Sequence, residues 1–336
     1  MTYPEPFQEP LNLAADSVRT FGGYDHQTDH PGSSLLTGDP GPGVVRVGQV
    51  YVHSRVPVDV SGRQMVMLHG ANRTGATFET TPDGREGWAT WFVRRGHPVH
   101  VVDQAGRGRS GFDPTGVNAI RAGTPDVEAP NLFLGTKERI WVNARVGPRH
   151  GEPFANVRFP VGWFDRMVDR TVPNAETTLV AESEHTITGV IELLVHIGPA
   201  VLLVHSQGGL FGIEIARRRP DLVLALVSIE GGSHTITPEL AASTFRDIPF
   251  LSVWGDNSEG AAGVNGDERR NGCRDAVANI NEAGGDATML LLPEFGIEGN
   301  SHVMMMDNNN LDIAQRIQDW ILRTDQGADG RTARSP

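Results

Sequence analysis

Ser206 sits where a serine can be made to react. Val201-Leu-Leu-Val-His205-Ser206-Gln207-Gly208-Gly209 reads as a buried strand running through a tight turn into a helix, with the serine at the apex, the context that a nucleophile elbow requires. Such a turn strains the serine backbone, so the residues two before and two after must be small, and the hydroxyl projects beyond the sheet edge at a helix N-terminus. Gly208 meets this condition, whereas Val204 departs from the G-x-S-x-G pattern. The competing reading is a plain helix cap.

A serine hydroxyl needs a base to take its proton. Of the twelve histidines, His302 alone lies where one would be delivered, in the loop after the apolar run 288–292 and before the last helical pattern. His205 reads as a satisfied core imidazole, and His234, in a polar loop, is assigned nothing. The base in turn needs an acceptor on its second nitrogen. Glu230 and Asp256 both follow apolar runs, 223–229 and 249–254, and so lie at strand ends where open α/β sheets collect their sites. The common hydrolase arrangement favours Asp256, Glu298 is a weak third candidate, and spacing does not decide. Acyl transfer also develops a negative oxygen, which backbone N–H groups stabilise. One donor is expected from Gln207, directly after the nucleophile. The other is expected from Ala71, in the turn His69-Gly70-Ala71-Asn72-Arg73-Thr74-Gly75, where Gly70 lets the chain bend.

Two rival patterns fail on context. Gly106-Arg-Gly-Arg-Ser-Gly111 matches the dinucleotide fingerprint literally, but Phe112-Asp113-Pro114-Thr115-Gly116 reads as a segment that no helix follows. The acids that should bind ribose, Asp126 or Glu128, lie in a Pro-flanked stretch. Asp25-His-Gln-Thr-Asp-His30 offers metal-ligating side chains but reads as a solvated loop. No metal and no cofactor is expected.

The elements that must position these groups are legible as short apolar runs at 65–68, 98–102, 200–204, 223–229, 249–254 and 288–292, the mark of strands covered on both faces. Alternation over 44–56 suggests antiparallel strands with one wet face. Ile187, Val190, Ile191, Leu194 and Ile197 form one helical stripe ending at Gly198-Pro199. A second helix is expected over 208–219 and a third over 311–321. Arg217, Arg218 and Arg219 complement a helix C-terminus. The stretch 113–180 is too long for a simple connection and carries six large aromatics, including Phe133, Trp141 and Phe164; it reads as a lid or binding segment.

The chain has 336 residues, 38% apolar and 21% charged, and 29 Lys and Arg against 41 Asp and Glu give a net charge of −12. Nucleic acid is an unsuitable partner for such a surface. No apolar run spans a bilayer, and the single cysteine, Cys273, leaves no intrachain disulfide. The N-terminus shows no secretory leader, so the cytoplasm is the default, with secretion the alternative if a leader has been removed.

Taken together, His69-Gly70, the loop 103–111, the elbow at Ser206, Gly255-Asp256 and the histidine loop resemble the α/β-hydrolase superfamily. Thr80-Thr-Pro-Asp-Gly-Arg85, Asp103-Gln104, His205-Ser-Gln207, Ser228-Ile-Glu230, Gly299-Asn-Ser-His302 and Met304-Met-Met-Asp307 are similar to a small group of bacterial esterases. The resemblance covers about 44–321. It implies a mostly parallel sheet flanked by helices, with a core of 44–112 and 181–325, an N-terminal extension over 1–43, an inserted cap over 113–180 and a flexible tail over 326–336. It also implies carboxylester hydrolysis by Ser206, His302 and Glu230, the acid following the sixth strand, with an oxyanion hole at Ala71 and Gln207. Ala71-Asn72 stands where members of the group carry paired cysteines, so substrate preference does not transfer. Met304, Met305 and Met306 suit either core packing or an adaptable acyl pocket. A small ester is the expected partner, with a homodimer left open. Lactone, thioester or carbon–carbon bond hydrolysis and non-catalytic ligand binding are the alternatives.

Overall fold

Strands without a polar face need a covering layer on each side, and six of them make up most of a single eight-stranded sheet. The computed structural model describes residues 9–175, 179–259 and 266–332. Its sheet strands are β1 (Leu13–Thr28), β2 (Gly43–Pro57), β3 (Met65–Leu68), β4 (Val99–Asp103), β5 (Ala200–His205), β6 (Val223–Ile229), β7 (Phe250–Trp254) and β8 (Ala287–Leu291). They lie in the order β1-β2-β4-β3-β5-β6-β7-β8. β2 pairs antiparallel with both β1 and β4, and every neighbouring pair from β4 to β8 is parallel.

Because side chains alternate across a strand, each central strand feeds two cores. Met65, Met67, Val201 and Leu203 face one layer, with helices α1 (Trp88–Arg94) and α5 (Asn310–Thr332). Val66, Leu68, Leu202 and Val204 face the other, with α2 (Leu179–Ile197), α3 (Gly208–Arg218) and α4 (Asp267–Glu282). The α2 stripe buries Ile187, Val190, Leu193 and Leu194, with Ile191 and Ile197 packed at its margin. The arginines ending α3 are spent on surface ion pairs with Glu214, Glu184 and Asp221. The connection between β4 and α2 carries short helices at Thr115–Arg121, Lys137–Asn143 and Phe164–Val168. Its Ile140, Trp141, Val146, Phe159, Phe164 and Met167 join the α1/α5 core, with Trp141 and Phe164 ring centroids 4.9 Å apart. Among the described residues, no helix is long and apolar enough to cross a membrane.

Four expectations are corrected. Residues 13–28 are not an extension but the edge strand of the sheet, paired with β2 along its length. They escape detection because an edge strand with little buried surface needs no apolar run. The segment 25–30, expected to be a loop, accordingly begins inside β1, and Asp25 pairs with Arg46. A helix does follow Pro114, which occupies its N-cap while Asp113 Oδ1 accepts the Thr115 N–H at 2.9 Å; proline is tolerated there because its missing N–H would have no helical partner. Helix α5 continues to Thr332, into the expected tail. Once nucleated a helix gains one hydrogen bond per residue, and no proline intervenes before Pro336; residues 333–336 lie outside the described residues.

Candidate active site

Strand β5 delivers Ser206 into the turn before α3, and the serine takes a left-handed backbone with φ 52°. Strain of this kind persists only where the surroundings enforce it. A Cβ at Gly208 would lie 2.7 Å from the His69 carbonyl oxygen, and one at Gly70 would lie 2.8 Å from Ser206 Cβ, so both glycines are required by close approach. Val204 is accommodated because α3 makes room at Gly212, where a Cβ would come within 3.0 Å of the valine.

His302 Nε2 lies 3.0 Å from Ser206 Oγ, and its Nδ1 lies 2.6 Å from Glu230 Oε2. Hydroxyl, imidazole and carboxylate thus form one hydrogen-bonded line, able to move the serine proton to the imidazole. Glu230, itself at φ 45°, also accepts the Gly255 N–H at 2.8 Å. Arg145 closes around it, Nη1 donating to Oε2 at 2.7 Å and Nη2 to Oε1. Burial by itself would raise the pKa of Glu230, but the charge of Arg145 and the bond to His302 outweigh it and hold the carboxyl well below the usual range. Burial lowers the pKa of His302 against the pull of Glu230, and Arg145 and Arg269 lower it further. At neutral pH the imidazole is free to accept a proton.

The turn after β3 faces the elbow. Among the described residues, neither the Ala71 nor the Gln207 N–H has a protein acceptor, and both residues line the cavity that holds Ser206. The glycine-rich loop 103–111 serves this turn. Asp103 accepts the Gly75 N–H at 2.7 Å and is clamped by Arg109 Nε at 2.9 Å, while Arg107 Nη1 donates to Gln207 Oε1 at 2.8 Å.

The other candidates stand apart from the line. Asp256 accepts from Gly299 N at 3.0 Å and Asn156 Nδ2 at 2.9 Å, which pins the histidine loop rather than the histidine. Glu298 is exposed. His205 is only half satisfied: Nε2 donates to the His302 carbonyl at 2.9 Å, while Nδ1 is buried without a partner among the described residues. His234 reaches the cavity wall. Met304, Met305 and Met306 are buried in the α1/α5 core. Two groups that shape the site are assigned no role from the sequence. Arg145, at φ 55°, comes from the long connection far from any strand. Asp307 is known by what it holds: Oδ2 accepts the Ser301 N–H at 2.8 Å and Oδ1 the Ser301 hydroxyl at 2.7 Å, fixing the residue before His302. Burial raises the pKa of Asp307 to about 6 against those hydrogen bonds.

The cavity beside Ser206 measures about 750 Å³, within the range that encloses a small organic ligand. No model of a known family matches the chain. Along 317 residues it is 29% identical to the probable secreted lipase phiG of Fungal sp. (strain ATCC 74256), covering 81% of this chain and 85% of that one. A solved structure of a novel bacterial esterase superposes with a TM-score of 0.88 at 34% identity, over 96% of this chain and 99% of the other. Identity at that level across nearly the whole of both chains, on the same fold, makes the protein a member of the α/β-hydrolase superfamily, in the family of that bacterial esterase.

Proposed function

We propose that the protein is a serine carboxylesterase that hydrolyses small to medium carboxylic esters through an acyl-enzyme on Ser206. His302 Nε2 takes the hydroxyl proton as Oγ attacks the ester carbonyl. Glu230 keeps the imidazole in the tautomer with Nδ1–H and stabilises the imidazolium. The Ala71 and Gln207 amides receive the developing oxyanion, each such donor contributing about 2.7 to 4 kcal/mol. The imidazolium then protonates the leaving alcohol, and the neutral ring activates water to release the acid. The observation that carries this reading is the unbroken line from Ser206 Oγ to Glu230, opening on a cavity that also presents two acceptor-free amides.

A fluorophosphonate probe tests it. Wild type should be labelled stoichiometrically and Ser206→Ala not at all, with ester turnover falling by about 10⁶. Labelling of wild type no greater than that of the alanine variant would remove the proposal. A panel of para-nitrophenyl esters, lactones, thioesters and diketones then separates ester hydrolysis from the other reactions open to the same three groups.

A further inference from the structure

Arg73 goes beyond what proton transfer at Ser206 needs. It lies two residues past Ala71, and Asn72 between them adopts a left-handed backbone at φ 55°. Asn72 is tied to the long connection: its N–H donates to Asn174 Oδ1 at 3.0 Å, and its Nδ2 donates to the Phe133 and Val172 carbonyls at 3.0 Å each. The turn therefore holds Arg73 in the wall of the cavity that contains Ser206, with 7% of its surface exposed.

The guanidinium is poorly matched there. Nη2 meets the Met167 thioether at 3.5 Å, a weak acceptor, and Nη1 is buried with no acceptor among the described residues. The charge acting on it is a second cation, Arg170; burial first, and then that repulsion, bring its pKa down to about 10, so it stays protonated at neutral pH. A buried cation facing no counter-ion is costly to keep, and such groups gather where a ligand completes them. The same cavity is lined by Arg139 and Arg269 against one carboxylate, Glu268, in a chain whose net charge is −12. A positive cavity in an acidic molecule draws anions inward.

The geometry points to Arg73 as the subsite for a free carboxylate on the substrate, which makes the protein selective for esters that carry a second, ionised carboxyl group. This inference rests on the proposed ester hydrolysis and names its substrate class. The planar fork of the guanidinium matches a carboxylate, which supplies both the charge and the acceptor that Arg73 lacks. A neutral ester of the same size leaves the cation uncompensated.

Two matched pairs of substrates test this. On the acyl side, mono-para-nitrophenyl adipate is compared with para-nitrophenyl hexanoate; on the alcohol side, para-(carboxymethyl)phenyl butyrate is compared with para-isobutylphenyl butyrate. Wild type should favour the charged member of one pair by about 10- to 100-fold in kcat/KM, the worth of one charge-assisted hydrogen bond. Arg73→Met should bring that ratio to about one or below, and Arg73→Lys should keep part of it. A ratio taken within one variant is independent of how much of that variant folds. No preference in either pair, or a preference unchanged in Arg73→Met, overturns the inference. If wild type labels with the fluorophosphonate but shows no preference, Arg73 is excluded and ester hydrolysis stands. If it neither labels nor turns over any ester, the underlying reading has failed, and calorimetry of adipate binding to wild type and Arg73→Met decides the subsite alone: binding lost in the variant supports it, and equal binding overturns it.

Discussion

The strand ends and the long connection 113–180 both reach the cavity beside Ser206, but they bring different things to it. From the sheet come the groups of the proposed proton line: Ser206 after β5, Glu230 after β6 and His302 in the loop after β8. The connection adds no member to that line. It adds a cation on Glu230, through Arg145, and a carbonyl, Ala144 O, that accepts the His302 N–H at 2.9 Å. Ser206 and Glu230 thus directly follow strands whose register is fixed by ladder hydrogen bonds, while the charge beside Glu230 and the backbone of His302 are held from a segment outside the sheet. Changes to the groups of the proposed line should abolish turnover, and changes on the connection side should move its pH dependence and the stability of the fold.

Glu230→Gln should produce the largest effect in this comparison. The amide leaves the His302 ring without an ionised partner and favours the wrong tautomer, for a loss of about 10⁴ in kcat. Active-site titration of the folded fraction separates that loss from any loss of protein. A fall of less than tenfold would move the acid elsewhere and dissolve the distinction between the two regions.

How much of this could be read from residues alone follows the same division. The runs at 65–68 and 223–229 coincide with β3 and β6, because a strand covered on both faces has to be apolar throughout. The expected places of Ser206, Gln207 and Ala71 at turns after strands, and of His302 in the loop after the last strand, bring these residues to one cavity, because a turn leaving a strand restricts which residue types fit. The choice between Glu230 and Asp256 was not reachable by spacing. Both end strands, and what separates them is which carboxylate the Arg145 and His302 side chains meet, contacts made across 85 and 72 residues of sequence. β1 was missed because its exposed, polar face leaves no hydrophobic period, and Arg145 because nothing local distinguishes an arginine that will be buried from one that will be solvated.

Arg145→Met tests the connection's side. Removing the cation leaves Glu230 buried beside it without its counter-charge, a cost of about 3–5 kcal/mol in unfolding free energy, measurable by urea titration above pH 6. The sign of the pH effect is fixed by the shifts. The carboxyl of Glu230 is depressed below the usual glutamate value, so its stabilisation is present above that value and is lost as pH falls; the variant should show a shallower acid loss than wild type. His302 is lowered from 6.5, with Arg145 among the causes. The acid limb of kcat/KM should therefore lie below pH 6.5 in wild type and move upward in the variant, because the base must be neutral to act. A limb that stays in place would mean that the connection does not tune the histidine.

Asp256→Asn should give the smallest change, and its smallness is the sharpest statement of the comparison. Asp256 sits at a strand end as Glu230 does, but its oxygens are spent on the Gly299 and Asn257 N–H groups, at 3.0 and 2.7 Å, and on Asn156. Its backbone is held from both sides, the N–H by the Asn300 carbonyl at 3.0 Å and the carbonyl by Arg145 Nε at 2.8 Å. Asparagine keeps one side-chain oxygen and all of the backbone bonds, so one acceptor is lost at a cost of about 1 kcal/mol in stability, with kcat within a few-fold of wild type and the acid limb unmoved. Loss of turnover as deep as that of Glu230→Gln would mean that the loop geometry near His302 depends on this carboxylate as strictly as the imidazole depends on its own. The line between reacting groups and supporting groups would then have to be drawn through β7 rather than at the edge of the sheet.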